Sequence, residues 1–292
     1  RIKLGTAIMQ IGARTPANAA MSMATVDAMA GGGRAIAGLG VSGPQIIEGW
    51  YGTPWGKPYW RLKDYVEIMR KVFRREAPVT HDGREIQLPY TGPGSAGMGK
   101  PLKSILHMNP NIPIYLGTGN EAMIRLTGEV ADGWLTLGFV PSAMATIRPW
   151  LEEGFKRAGN GKSFANFEIQ ASVFVRVEED VKAALQTLKP REALYIGGMG
   201  HREKNFHKEV MVRAGYKTAA DRIQELYLAG RKDEAAKAVP DEWVDEKSLM
   251  GPPSRIKQRY RSWADSGITS LTVRSSQAAA IVGSGYVETR LK

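Results

Sequence analysis

The residues Ile112-Pro-Ile-Tyr-Leu-Gly-Thr-Gly-Asn120 contain the transition that decides the fold, an apolar strand that ends in a glycine-rich turn. The residues that follow, Glu121–Ala131, have the length and composition of a helix, and Gly133–Phe139 is a second apolar stretch. Short apolar runs without clean alternation are typical of strands that are buried on both faces, as in parallel sheets. The stretch is therefore predicted to be a β/α/β unit of a parallel α/β protein.

The same alternation continues in both directions along the chain. The predicted strands are Ile2–Met9, Ala35–Val41, Ile112–Leu116, Gly133–Phe139, Glu168–Val177 and Ser270–Arg274. The predicted helices are Ala17–Met29, Tyr59–Arg75, Glu121–Ala131, Ala143–Ala158, Asp180–Leu188, Thr218–Ala229, Lys232–Ala238 and Pro253–Ala264. A closed parallel barrel needs eight strands, and the sequence begins as if inside a strand. We therefore predict a TIM (β/α)₈ barrel that lacks its first two β/α units and forms a single domain over residues 1–292.

The composition narrows the function classes. The chain has 292 residues, no cysteine and a formal net charge of +11. The absence of cysteine excludes disulfides, thiolate metal sites and cysteine nucleophiles, and it is consistent with a cytoplasmic protein. No apolar run approaches the roughly 20 residues of a membrane span. Because Lys and Arg are mixed with Asp and Glu along the predicted helices, the charge favours a small anionic ligand, or simply a basic solvated surface, over nucleic acid.

Two connections are too long for tight β/α loops. Residues 77–110 are rich in Gly and Pro, and residues 194–217 contain Gly197-Gly-Met-Gly200 together with several Lys, Arg and His. Both are predicted to be long insertion loops. Connections of this length usually act as lids or binding loops, with unstructured decoration as the alternative.

Gly38-Leu-Gly-Val-Ser-Gly43 matches the dinucleotide fingerprint G-x-G-x-x-G after a strand. That fingerprint requires a helix that begins within the motif. Here Pro44 and a series of further Gly and Pro residues follow, which prevents an immediate long helix. The glycines are better explained by the close approach of a flat ligand to a strand end and its loop.

Gly117-Thr-Gly-Asn120 opens the predicted helix Glu121–Ala131. A glycine-rich turn before a helix offers backbone N–H groups to an anion such as phosphate. The alternative is an ordinary β/α turn in which Asn120 caps the helix. The basic charge favours the phosphate site, and both interpretations stay open.

An aromatic segment follows the second predicted strand. Trp50, Tyr51 and Trp55 lie just beyond its carboxyl end, which on a barrel is the catalytic face. These side chains are candidates for the walls of a substrate pocket. A packing cluster that fills a long loop is the alternative.

Other catalytic patterns are missing. The four His residues have no metal-ligand spacing, and there is no G-x-S-x-G nucleophile elbow. We therefore predict no metal site and expect an organic cofactor to supply the chemistry.

These features together resemble the luciferase-like monooxygenase superfamily, in particular its coenzyme F420 (deazaflavin)-dependent oxidoreductases. The resemblance extends over nearly the whole chain, and the order and spacing of its stretches are what make it specific. The stretches are Ile2-Lys-Leu-Gly-Thr-Ala-Ile8, Gly38-Leu-Gly-Val-Ser-Gly-Pro-Gln45, Ile112–Asn120, Ala131-Asp-Gly-Trp-Leu135 and Leu249-Met-Gly-Pro-Pro-Ser-Arg-Ile256.

The resemblance implies a barrel of the bacterial-luciferase type that holds the deazaflavin ring over the strand ends. It implies a hydride transfer between F420 and an organic substrate. In the family a bulge that often contains a non-prolyl cis peptide supports the ring, and its counterpart here is Ala7–Ile8. The remaining cofactor-binding positions that it implies are Ser42, Gly43, Gly117, Thr118, Gly119 and Asn120.

The resemblance assigns no catalytic acid or base, because in many members such side chains come from the first two strands. Two alternatives to the F420 enzyme stay open. One is an FMN-dependent monooxygenase that uses molecular oxygen, and the other is a non-catalytic truncated remnant. A small molecule is the expected partner, and exposed sheet edges also make a homo-oligomer possible.

Overall fold

The computed structural model describes residues 2–107 and 109–273. Of these, residues 2–135 with 149–167 form one compact unit, and residues 136–148 with 168–273 form a second. The prediction of one domain over 1–292 stays a prediction. Arg274, the last residue of a predicted strand, lies outside the described residues.

Strands and helices alternate along the described chain. The strands are β1 (Leu4–Gly5), β2 (Met9–Gln10), β3 (Ala35–Gly40), β4 (His81–Asp82), β5 (Gln87–Leu88), β6 (Ile114–Thr118), β7 (Gly133–Thr136), β8 (Glu168–Val177), β9 (Ser248–Gly251) and β10 (Ser270–Val273). The helices are α1 (Pro16–Met29), α2 (Pro44–Ile47), α3 (Pro58–Arg74), α4 (Glu121–Val130), α5 (Met144–Ala158), α6 (Val181–Gln186), α7 (Lys189–Gly197), α8 (Phe206–Arg213), α9 (Lys217–Leu228), α10 (Lys232–Lys237), α11 (Asp241–Glu246) and α12 (Pro253–Asp265). Among the described helices, none combines the length and the apolar character that crossing a bilayer requires.

In the first unit, β3 is the central strand of a parallel arrangement. It pairs with β1 and β2 on one side and with β6 on the other. The predicted strand Ile2–Met9 is therefore two short segments in the structure. The reason is Thr6, whose hydroxyl donates to the Gly38 carbonyl and accepts from the Gly38 amide, each at 2.9 Å, so that a side chain interrupts the backbone ladder.

The helix α3, predicted as Tyr59–Arg75, buries one face in this unit. Its buried side chains include Leu62, Val66, Met69 and Phe73, which recur at the spacing of one helix face. They pack into a core that the buried residues of α1, β3 and β6 complete. The helix thus covers the parallel sheet, as an α/β layer requires.

In the second unit, β8 is the shared strand. It pairs in parallel with β9, where Phe174 lies opposite Ser248, and with β10, where Gln170 lies opposite Ser270. The sequence analysis missed β9, so its count of six strands is wrong. The strand has only four residues, all of them buried, and it shows neither alternation nor β-branched side chains.

The segment 77–110 is not a simple loop. It contains the antiparallel hairpin of β4 and β5, which Asp64 of α3 holds in place. The Asp64 carboxylate accepts hydrogen bonds from the amides of Glu85, at 2.7 Å, and Ile86, at 3.0 Å. His81 is buried with its Nε2 3.2 Å from the same carboxylate. The loop prediction missed this hairpin because each of its strands is only two residues long.

The prediction of a loop over residues 194–217 is wrong, because α7 extends to Gly197 and α8 comprises Phe206–Arg213. Asn205 begins α8 by accepting hydrogen bonds from the amides of His207, at 3.0 Å, and Lys208, at 3.1 Å. Its side-chain amide donates to the carbonyls of Tyr195 and Ile196, which joins the two helices. An Asn that precedes an apolar run was the available signal for this helix.

A buried carboxylate joins the end of α1 to the start of β3. Asp27 is 2% exposed, and its two oxygens accept from the amides of Gly33, Arg34 and Ala35 and from the Asn109 side chain, at 2.7–3.1 Å. Burial alone would raise the pKa of Asp27, but these hydrogen bonds outweigh it and lower the pKa below its usual value. The carboxylate therefore stabilises the fold in its charged form.

We expect Asp27→Asn to lower the free energy of unfolding by about 2 kcal/mol at pH 7, because an NH₂ group would face amide donors. Since the pKa of Asp27 is lowered in the folded state, its contribution is fully present above about pH 4 and is lost as the pH falls through the folded pKa. Urea unfolding at several pH values measures this. The exposed Asp82→Asn is the matched control and should change little. An equal loss in both variants, or a loss that does not shrink in acid, would contradict the assignment.

Candidate functional site

The predicted cofactor residues come from three segments that the parallel sheet brings to one edge. Gln10 pairs with Gly40, and Gly40 pairs in turn with Gly117 on its other side. Because the three strands run in the same direction, their carboxyl ends lie next to each other. In parallel α/β folds this edge is where ligands bind.

The side chain of Ile8 lies across these strand ends, where two glycines leave room for it. A Cβ atom on Gly40 would lie 2.8 Å from the Ile8 Cδ1, and one on Gly117 would lie 3.0 Å from the Ile8 Cγ2. Ile8 is half-buried, and its neighbour Ala7 is exposed. The peptide bond between Ala7 and Ile8 is cis, which the family resemblance implied. The result is a small apolar surface at the strand ends.

A set of hydrogen bonds, which we call the Gln10 cluster, joins Gln10, Ser42, Tyr51 and Trp55. The Gln10 Nε2 donates to the Ser42 Oγ at 2.9 Å, and the Tyr51 hydroxyl bonds to the Gln10 Oε1. The Trp55 indole N–H donates to the Ser42 carbonyl at 3.3 Å. The cluster thus connects the end of β2 with the loop after β3 and with the aromatic segment.

Three members of this cluster, Ser42, Tyr51 and Trp55, were predicted from the sequence as site residues, whereas Gln10 was not. The signal for Gln10 was its place as the first polar residue after the predicted strand Ile2–Met9. Ser42 has a φ of 59°, in the left-handed region that few residues other than glycine adopt. Trp50, in contrast, is 80% exposed and lies outside the Gln10 cluster, so its assignment to a substrate pocket stays a prediction.

The loop after β3 does not lead into the long helix that a dinucleotide fingerprint requires. Gly43 begins α2, which has only four residues. A Cβ atom on Gly43 would lie 2.5 Å from the Gln45 Oε1, at the end of a flexible side chain, and the backbone of Gly43 is extended. The long helix that would follow a dinucleotide-binding turn is not formed.

The turn Gly117–Asn120 connects β6 to α4. Thr118 is buried, and its hydroxyl donates to the Thr127 hydroxyl at 2.8 Å, since the Thr127 hydrogen is used on the Met123 carbonyl. The Asn120 Oδ1 accepts from the Met123 amide at 3.0 Å, so Asn120 caps α4 as one interpretation predicted. The Thr118 hydroxyl and the Asn120 carbonyl are thus occupied within the fold. The donors that the turn could offer an anion are therefore backbone N–H groups and the Asn120 side-chain NH₂.

The described residues contain no candidate metal centre. No group of three or more His, Asp or Glu side chains there is arranged to hold a metal ion. The candidate site is therefore built from neutral polar side chains, an apolar surface and a glycine-rich turn.

Comparison with known proteins identifies the family. Residues 1–270 match the family described as luciferase-like monooxygenase, so the chain belongs to that family. A Mycobacterium tuberculosis protein that is named as a coenzyme F420-dependent oxidoreductase, Rv3520c, is 43% identical over 282 residues, which cover 96% of this chain and 81% of that protein.

Solved structures agree on the fold. The coenzyme F420-dependent tetrahydromethanopterin reductase from Methanopyrus kandleri superposes with a TM-score of 0.74 at 24% identity, covering 94% of this chain and 78% of the other. The FMN-bound oxygenating constituent of 3,6-diketocamphane monooxygenase from Pseudomonas putida has a TM-score of 0.60 at 16% identity, covering 97% and 75%. The predicted α/β barrel fold of the bacterial-luciferase type is confirmed, and so is the prediction of an F420- or flavin-dependent oxidoreductase.

We expect the Gln10 cluster to show energetic coupling. In a double-mutant cycle, Gln10→Met and Tyr51→Phe should be non-additive in the free energy of unfolding by about 1 kcal/mol, because each removes one end of the same hydrogen bond. Urea unfolding of the four proteins measures this. The control cycle pairs Gln10→Met with Trp50→Phe, which should be additive because Trp50 lies outside the cluster. Additivity in both cycles would show that the hydrogen bond does not stabilise the fold.

Proposed function

We propose that this chain transfers a hydride between coenzyme F420 and an organic substrate. The observation that carries the proposal is the 43% identity, over 96% of the chain, to the mycobacterial protein named for F420. The convergence of the strand ends at one edge is consistent with it.

The strand ends fit a flat ring. The side chain of Ile8 offers an apolar surface, and the exposed Ala7 beside it adds little bulk. The cradle depends on Gly40 and Gly117, because any side chain at either position would displace Ile8. We propose that Ala7 and Ile8 support the ring on one side and that Ser42 and Gly43 approach it from the loop after β3.

The turn Gly117–Asn120 fits the phosphate of the cofactor. It precedes α4, a helix of ten residues whose first amides are oriented toward its N-terminus. Glu121 in the first turn would oppose an anion, but its carboxylate pairs with Arg125 at 2.6 Å. The net charge of +11 is consistent with a ligand whose phosphate and oligoglutamate tail are both anionic.

F420, when bound, would act as the two-electron carrier and would exchange a hydride with the substrate at C5 of its ring. Ile8 would pack against one face of the ring, keep water from that face and leave the other face exposed. The Gln10 cluster holds the Tyr51 hydroxyl and the Trp55 indole in fixed orientations, and we propose that these two side chains line the substrate pocket, with Trp50 at its outer edge.

The FMN-bound monooxygenase that shares the fold makes FMN the second candidate cofactor. Both cofactors combine a flat ring with a phosphate, so binding measurements have to separate them. Titration of the purified protein with F420 and, separately, with FMN follows the quenching of cofactor fluorescence. We expect saturable quenching with F420 at concentrations where FMN gives none. Preference for FMN would favour the oxygen-dependent enzyme, and binding of neither would favour the non-catalytic remnant.

We expect Gly119→Val to weaken F420 binding at least tenfold, about 1.4 kcal/mol, because a branched side chain would block close approach of an anion to the backbone of the turn. The matched control is Gly99→Val, in the exposed segment after β5, where a Cβ atom meets only ordinary contacts. Fluorescence titration of both variants measures the effect, and circular dichroism establishes that they are folded. If folded Gly119→Val binds F420 with unchanged affinity, the assignment of the cofactor phosphate to this turn is wrong.

A further inference from the structure

The second unit contains a cavity of about 170 Å³ that the strand-end site does not use. It is lined by the last residue of β7 and the two residues that follow it, by residues of β8 and of the helices α7, α8 and α11, and by Lys247. For comparison, a cavity of about 150 Å³ in a protein interior accommodates benzene. This cavity therefore has room for a molecule with one small ring or a short chain.

Arg191 gives the cavity an unneutralised positive charge. Its guanidinium stacks on the ring of Phe174, at 4.4 Å from the centroid, and near that of Tyr195, at 4.9 Å. Within the described residues, no carboxylate lies at ion-pair distance from it. A guanidinium is planar by electron delocalisation, so its N–H donors suit bidentate binding of a carboxylate, and packing on aromatic rings restricts its orientation.

The other charges in the wall cancel each other. Glu192 is buried, and it accepts from the Lys247 ammonium at 2.6 Å and from the Trp243 indole at 2.9 Å. Burial would raise the pKa of Glu192, but Lys247 and these hydrogen bonds lower it below the usual value, so the carboxylate stays ionised. The pair of Glu192 and Lys247 is therefore neutral as a whole.

His207 adds no charge near neutral pH. Burial, together with the nearby Lys247, lowers the pKa of His207 to about 4. Its ring packs edge-on against Tyr195, with 4.6 Å between the ring centroids. The charges of the groups that line the cavity therefore sum to +1, and Arg191 is the cation among them that is not in the ion pair with Glu192.

Thr136 supplies an unsatisfied polar atom in the same wall. Its Oγ1 is buried and has no hydrogen-bond partner within the described structure. Buried polar atoms without partners are rare in proteins, because each costs about 1–3 kcal/mol of desolvation. A ligand oxygen in the cavity would give this hydroxyl a partner.

We propose that this cavity is a binding site for a small organic carboxylate, with Arg191 binding the carboxylate, Thr136 hydrogen-bonded to the ligand, and the rings of Phe174, Tyr195 and Trp243 around its apolar body. A single uncompensated positive charge matches a monoanion better than a phosphate dianion. The site is separate from the F420 assignment, since none of the residues assigned to that cofactor lines the cavity.

Isothermal titration with benzoate tests the class of ligand, because benzoate carries one charge on one ring. We expect benzoate to bind at least tenfold more tightly than benzamide, its neutral analogue of the same shape, and more tightly than inorganic phosphate. Equal binding of benzoate and benzamide would reduce the site to an apolar cavity. Tighter binding of phosphate, or binding of none of the three probes, would overturn the proposal.

Two variants test the residues. Arg191→Gln should weaken benzoate at least tenfold while leaving benzamide unchanged. The control Arg222→Gln, on the exposed face of α9 where Arg222 pairs with Glu225, should alter neither.

Thr136→Val removes a hydroxyl that has no partner, so we expect its thermal midpoint to be no lower than that of the parent and its benzoate affinity to be weaker. Benzoate affinity that is unchanged in Arg191→Gln, or a clear loss of stability in Thr136→Val, would contradict the assigned roles.

Discussion

The candidate site depends on a steric constraint between Ile8 and the glycines at positions 40 and 117. These glycines lie opposite each other on paired strands, and neither could carry a Cβ atom without displacing the Ile8 side chain. The register of β3 and β6 thus determines where Ile8 lies, and Ile8 determines the surface at the strand ends. Because the strands are parallel and buried, a one-residue slip would place Leu39 or Leu116 there instead and remove the space.

The fold was predictable from the sequence where a helix has a side-chain cap or a clear period. Asn120 predicts the start of α4, and the spacing of Val66, Met69 and Phe73 predicts the buried face of α3. The prediction of secondary structure failed for elements that are too short to show a period. The four residues of β9 form a strand only because β8 supplies their partners, a contact that lies over 70 residues away in sequence and that no local pattern contains.

The site was predictable in part for a related reason. Glycines and aromatic residues after strands are visible in a sequence, so Ser42, Tyr51 and Trp55 could be selected. Gln10 could not be separated from any other polar residue after a strand, because its importance comes from the loop that returns to meet it. Arg191 and Lys247 were equally hidden. Among 40 Lys and Arg residues, only the folded structure distinguishes the one that stacks on two rings from those that are solvated.

The two units use polar groups in opposite ways. At the strand ends of the first unit, the Gln10 cluster consists of neutral side chains whose hydrogen bonds are made among themselves, which fixes their geometry without creating a field. In the wall of the second unit the polar groups are charged. Glu192 and Lys247 form an ion pair, whereas the half-buried Arg191 packs on aromatic rings and has no carboxylate at ion-pair distance among the described residues. The Phe174 and Tyr195 rings stabilise the half-buried guanidinium of Arg191 through cation–π contacts without neutralising its charge. That charge can therefore attract an anion, which a neutral site of the first kind does not do.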